Sequence, residues 1–254
     1  MNIILSIAIF IFGLAVGSFL NCVIYRLEQK KSFLKGRSYC PSCKHVLAWH
    51  DLIPVISFFI LRGKCRYCGK KISWQYPAVE IATALLFLLI FNFQFSIFNI
   101  CFLFFVSCFL IIIFVYDLKH YIIPDSVIYP AIIITFLYNL ILNPSFLVQN
   151  SILAGIGASL FFLLIYLISR GKWLGFGDVK LALFMGLFLG FPAIISALFF
   201  SFLIGAIIGI ILILLKRKGL KSEVPFGPFL IIGTYIALFW GERIINWYFR
   251  LIII

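Results

Sequence analysis

The chain has 254 residues, 64% of them hydrophobic and 11% charged, with a formal net charge of +13 and a mean hydropathy of +1.18. Soluble domains carry about 25% charged residues, so water is excluded as the main solvent and a lipid bilayer is implied as the partner. In a membrane protein Lys and Arg set topology before they set a ligand, so the positive charge calls for no nucleic acid.

In chain order, the first apolar run is Ile3 to Ile24, ending at Arg26. It lacks a basic leader region and a small-residue cleavage site, so it is expected to stay as a span. A polar, basic, cysteine-bearing stretch then runs to Gln75. Further apolar runs follow at Ala78–Phe91, Ile97–Tyr116, Ser126–Leu142, Ser151–Ser169, Val179–Phe191, Ala193–Leu215 and Pro228–Trp240. The pattern predicts an all-α polytopic membrane protein of about eight transmembrane helices, each about 20 residues, with a cytoplasmic loop between the first two. The loops alternate in charge. Basic residues fill the first (Arg26 to Lys71), the third (Lys119), the fifth (Arg170, Lys172, Lys180) and the seventh (Lys216, Arg217, Lys218, Lys221), whereas the intervening loops carry no charge. By the positive-inside bias this puts the N-terminus outside and the basic loops in the cytoplasm.

Within the first loop stand Cys40-Pro-Ser-Cys43 and Cys65-Arg-Tyr-Cys68. Two C-x-x-C pairs bring four thiolates to one point and suit a tetrahedral Zn²⁺. The cytoplasm disfavours the disulfide alternative, and no βαβ pattern supports a redox pair. A closed four-sulfur site has no open position, so the zinc is expected to be structural. His45 and His50 are read as surface or packing residues. Cys22, Cys101 and Cys108, within apolar runs, are read as small hydrophobes.

The chain has only eight acidic residues, and three lie at the same predicted membrane face: Asp117, Asp125 and Asp178. Asp125 follows Pro124 and opens a helix, where N-capping explains it. Asp178 also opens a helix, but its approach through Gly175-Phe176-Gly177 would let backbone come close to a second group. Asp117 sits near a helix C-terminus, the unfavourable end of the macrodipole for a carboxylate; Lys119 and His120 are the compensating cations. A pair of carboxylates can activate water and donate a proton to a scissile bond. Asp117 and Asp178 are the candidate pair, and no zinc-protease or serine-elbow motif competes with them. Sequence spacing shows only that they share a face.

At these residues the chain resembles the type IV prepilin peptidases, bifunctional leader peptidase/N-methyltransferases. The resemblance runs from Gly17-Ser18-Phe19-Leu20-Asn21 through the paired cysteines to Tyr76-Pro77-Ala78-Val79-Glu80, and resumes at Asp117, Ile123-Pro124-Asp125 and Gly175-Phe176-Gly177-Asp178-Val179-Lys180. The Gly-x-Gly-Asp element is shared with presenilin-like proteases; joined to the cysteine loop it is specific. The resemblance implies Asp117 and Asp178 as catalytic aspartates. It also implies removal of a basic leader from prepilins or pseudopilins, and methyl transfer from S-adenosylmethionine to the new N-terminus. By the same resemblance Gly63 and Lys64 belong to the methyl-donor function; no glycine-rich strand-to-helix turn in the loop supports that from the residues themselves.

The domain organisation that follows is a first transmembrane helix at 1–25, a cytoplasmic zinc-binding loop associated with methyl transfer at 26–76, and a transmembrane aspartic peptidase domain at 77–254. The expected location is the bacterial inner membrane with the active site at the cytoplasmic face; the sequence sets no oligomeric state. Two other classes compete. One is a peptidase-only or signal-peptide-peptidase-like aspartic protease. The other is a non-catalytic zinc-containing membrane assembly factor whose acidic residues merely cap helices.

Overall fold

The computed structural model describes residues 3–32, 36–93, 95–142, 144–146, 150–215 and 224–252. The basic run Lys216, Arg217, Lys218 and Lys221 lies outside the described residues, as does Lys35. The described chain is helical, its only β pairing being two isolated bridges within the cysteine loop. The chain divides into two compact units, residues 1–112 and 113–254.

In the first unit, α1 (Ile3–Glu28) and α3 (Gln75–Asn92) flank the loop, which holds one turn of 3-10 helix (Trp49–Leu52) and the short α2 (Ile56–Ile60). A 26-residue α1 is about 39 Å long at roughly 1.5 Å per residue, enough to cross a hydrocarbon core of about 30 Å. The two long helices meet at Gly17, where a Cβ would stand 2.6 Å from the Cα of Glu80. One turn on, Asn21 donates from Nδ2 to the carbonyl of Tyr76 at 3.0 Å. The two ends of the first stretch of the resemblance, Gly17–Asn21 and Tyr76–Glu80, are thus one helix contact. Small residues at such a crossing let backbones approach where lipid offers no hydrophobic drive. Phe87 of α3 stacks on Phe104 of α4 (Ile97–His120), centroids 4.1 Å apart.

The second unit takes the end of α4, then α5 (Asp125–Leu142), the short turn α6 (Pro144–Phe146), α7 (Ile152–Ser169), α8 (Phe176–Leu189), α9 (Ala193–Leu214) and α10 (Gly227–Ile252). Among the described residues, seven helices are long and apolar enough to cross a membrane: α1, α3, α4, α5, α7, α9 and α10. The remaining predicted span, Val179–Phe191, is α8, of 14 residues, about 21 Å at roughly 1.5 Å per residue. Its shortness follows from its place. Residues on every face of α8 are buried, from Asp178 and Val179 to Leu187 and Leu189, and it packs against α5, α7 and α10. A helix apolar all round belongs inside protein. Gly186 makes that packing possible, since a Cβ there would stand 2.4 Å from the Cα of Gly155 on α7. Beyond it, the buried Asn139 of α5 donates to the carbonyl of Leu187 at 2.8 Å, satisfying an oxygen at the C-terminal end of α8.

Candidate active site and metal centre

The second unit brings the two candidate aspartates together. Asp117 lies in the last turn and a half of α4, Asp178 is the third residue of α8, and both are buried. Their carboxylates are near enough to interact electrostatically. Asp178 turns back on its own helix start, and its Oδ2 accepts the Gly175 N–H at 3.1 Å. This is half of a capping box; Gly175 has no side chain with which to reciprocate.

Asp117 is held from elsewhere. Its Oδ2 accepts the N–H of Gly227, the first residue of α10, at 3.1 Å. A carboxylate at the wrong end of one helix therefore faces the favourable, positive end of another. A Cβ on Gly227 would stand 2.6 Å from Asp117 Oδ2, so any larger residue would displace the carboxylate. The same Cβ would lie 3.4 Å from Cδ1 of Ile123, and a Cβ on Gly177 would lie 2.9 Å from Cβ of Ile123. The buried Ile123, in the turn between α4 and α5, thus wedges between the starts of α8 and α10. Gly227 was not singled out by the sequence reading, which took Pro228 as the start of the last span. The signal was present in Pro225-Phe226-Gly227-Pro228, a glycine between prolines at a helix start.

Asp125 stands apart from this pair. Its Oδ1 accepts from Lys180 Nζ at 2.6 Å, and the Lys180 ammonium also lies over the rings of Tyr129 and Phe176, at 4.9 and 5.1 Å. It opens α5 and ties it to α8, a structural post.

In the first unit, Cys40, Cys43, Cys65 and Cys68 place their sulfurs within 4.8 Å of one another, and all are free thiols. Sulfurs around a tetrahedral zinc with bonds of about 2.3 Å stand about 3.8 Å apart, and Cys40 Sγ to Cys68 Sγ is 3.9 Å. The donor set fits the metal. The two knuckles are built alike. Cys40 N–H donates to the His45 carbonyl and Lys44 N–H returns to the Cys40 carbonyl, both at 2.9 Å. Cys65 N–H likewise donates to Lys70 at 2.8 Å, and Gly69 N–H returns to Cys65 at 2.9 Å. Lys44 and Gly69 both have positive φ, 61° and 69°, the left-handed turn that points two sulfurs inward. The second knuckle uses the residue suited to it.

His45 stacks on Tyr67 with centroids 3.7 Å apart, joining the knuckles as a packing residue. Asp51 is nearly enclosed between them. It accepts from Arg66 Nε at 2.8 Å, the Tyr67 hydroxyl at 3.0 Å and the Ala48 N–H at 3.3 Å. Burial opposes its ionisation, but these donors outweigh burial and hold its carboxyl below the usual range.

Gly63 and Lys64 belong to the frame of the second knuckle. Gly63 (φ 66°) accepts from Ile72 N–H at 2.8 Å, as Ser38 accepts from Leu47 at 2.9 Å in the first knuckle, and Lys64 bridges to Lys71. Gly63 is roofed by Phe58, whose ring a Cβ would meet at 3.3 Å, while the Lys64 side chain is exposed.

Residues 11–94 match the family model described as the bacterial peptidase A24 N-terminal domain, and residues 104–210 match the model of the type IV leader peptidase family. Among curated relatives, the prepilin leader peptidase/N-methyltransferase of Legionella pneumophila is 35% identical, with 94% of this chain and 92% of that one covered. The protein of the same name from Bacillus subtilis (strain 168) is 34% identical, over 96% of this chain and 97% of its own. That of Aeromonas hydrophila is 32% identical, over 94% and 92%. No solved structure matches the chain.

Proposed function

Because this chain belongs to the type IV leader peptidase family, we propose that it removes the leader of prepilin-type proteins and then N-methylates the residue exposed. The observation that carries the peptidase half is the buried pair Asp117 and Asp178, each held by one backbone N–H, at the ends of helices in an apolar unit. In the dyad one carboxylate takes a proton from water as its oxygen adds to the scissile carbonyl. The other, protonated, gives its proton to the amide nitrogen, and the C–N bond breaks. The Gly227 N–H keeps Asp117 in register for this step.

A prepilin bears a basic leader before an apolar helix, so its scissile bond lies at the membrane boundary. The charge of the loops supports a bacterial inner-membrane protein with its N-terminus outside. The C-terminal end of α4 and the start of α8 then face the cytoplasm, where leaders are. Residues 77–254 form the peptidase part. Residues 26–76 serve methyl transfer, with Cys40, Cys43, Cys65 and Cys68 holding a structural zinc, closed to chemistry. S-adenosylmethionine, when bound, supplies the methyl group; Lys64 would hold its carboxylate, with Gly63 shaping the turn beneath.

The test is the purified protein in lipid nanodiscs with a peptide spanning a prepilin leader junction and S-adenosylmethionine, followed by mass spectrometry. Loss of the leader and gain of one methyl group supports the reading. Cleavage without methylation removes the methyl-transfer half, and no cleavage of any prepilin peptide removes both.

A further inference from the structure

The cysteine loop carries an apolar edge that its own fold leaves uncovered. On α2, Ile56, Phe59 and Ile60 stand one turn apart on one side and are 56, 57 and 70% exposed, while Phe58 points into the loop. Trp74, 68% exposed, extends the edge, its ring 6.3 Å from that of Phe59. A water-soluble loop rarely keeps such a contiguous face open.

Two contacts fix the height of this edge relative to the membrane-crossing α3. Trp74 immediately precedes α3, so the edge begins where that helix begins. The residue that opens α2, Val55, donates its N–H to Glu80 Oε2 at 2.7 Å. Glu80 lies in the second turn of α3, about 7.5 Å along its axis from Gln75 at roughly 1.5 Å per residue. The buried carboxylate thus pulls the start of α2 down alongside the spanning helix rather than letting it stand off in water. Val55 takes a positive φ of 61° to reach it. Exposed Arg62 follows directly after α2, where an anionic headgroup would meet it.

We infer that residues 55–60 with Trp74 form an interfacial segment, its Ile56, Phe59, Ile60 and Trp74 edge seated at the headgroup–acyl boundary of the bilayer that α3 crosses. The occupant of the edge is phospholipid, and the segment anchors the metal-binding loop to the membrane surface. An apolar face of this kind beneath a flanking cation is how helices lie in an interface. The inference is independent of the reaction proposed above.

Hydroxyl-radical footprinting of the full chain decides it, at one chain per nanodisc of phosphatidylethanolamine and phosphatidylglycerol, each residue's rate being divided by its rate in the unfolded chain. Tyr67, 42% exposed on the same loop, is the reference. Water is scarce at the acyl boundary, so Phe59 and Trp74 should label about tenfold more slowly than Tyr67. Labelling at the rate of Tyr67 or faster would overturn the inference. Protection that appears only with two chains per disc would also overturn it, assigning the edge to a second copy.

Discussion

Asp117 poses a local problem that its own helix does not solve. Near the end of α4 a carboxylate meets the negative pole of the macrodipole, at a cost of some tenths of a kcal/mol. The Gly227 N–H at 3.1 Å, at the positive pole of α10, offsets that cost and fixes one oxygen in place. The Gly227→Ala substitution puts a methyl 2.6 Å from that oxygen, which pushes the carboxylate by roughly 1 Å, and misplacement on that scale costs about 10²-fold in rate. Leader cleavage by G227A should therefore fall in kcat with KM little changed, while methylation of a peptide already cleaved persists as the control for folding. A kcat equal to wild type would leave Gly227 no part in positioning. Asp117, Asp125 and Asp178 were legible in the sequence because acidic residues are so few. Helix position also separated Asp125 from the other two, but the contacts that hold them were not legible: the Asp125–Lys180 pair and the Gly227 donor depend on side-chain direction and on partners 55 and 110 residues away.

The elements show the same split. The cysteine loop was legible because the C-x-x-C spacing is itself the geometry of a knuckle, and the structure repeats one hydrogen-bond pattern at Cys40 and Cys65. The clasp around it was not, since His45 on Tyr67 and Asp51 on Arg66 are contacts between knuckles that spacing does not encode. A site with four inward sulfurs should hold one zinc per chain by elemental analysis. Cys65→Ser, which removes a buried ligand, should lose that zinc and expose the stretch between Arg37 and Lys71 to trypsin. Retention of full zinc in this variant would remove Cys65 from the metal site. The helix limits also tell a physical story: most apolar runs were read to within a few residues, but the last, read as ending at Trp240, continues to Ile252, and the run at 179–191 became a helix of 14 residues, buried on all sides. Hydropathy alone does not separate a helix bathed in lipid from one wrapped in protein.

For the whole molecule, composition and alternating loop charge sufficed to read a polytopic helical protein, because a bilayer restricts a chain to helices or closed barrels. What the sequence left open was whether two acidic helix ends meet. The second unit answers through packing: α8 runs through the middle of its neighbours, Gly186 lets α7 close on it, and Ile123 wedges between the starts of α8 and α10. The carboxylates of Asp117 and Asp178 are brought together by that arrangement. In the first unit, Gly17, Asn21 and Glu80 do comparable work, joining α1 to α3 and holding the loop against them.

The central claim is that this carboxyl pair cuts the leader, and the most direct measurement is cleavage of a prepilin junction peptide by wild type, Asp117→Asn and Asp178→Asn in nanodiscs. Methylation of a pre-cleaved peptide is followed in the same samples. Both variants keep the size and packing of the side chain, so both should fold and methylate, and each should lose cleavage by at least about 10³-fold as the acid–base pair is broken. Cleavage at the wild-type rate by either variant, in protein that still methylates, would contradict the account.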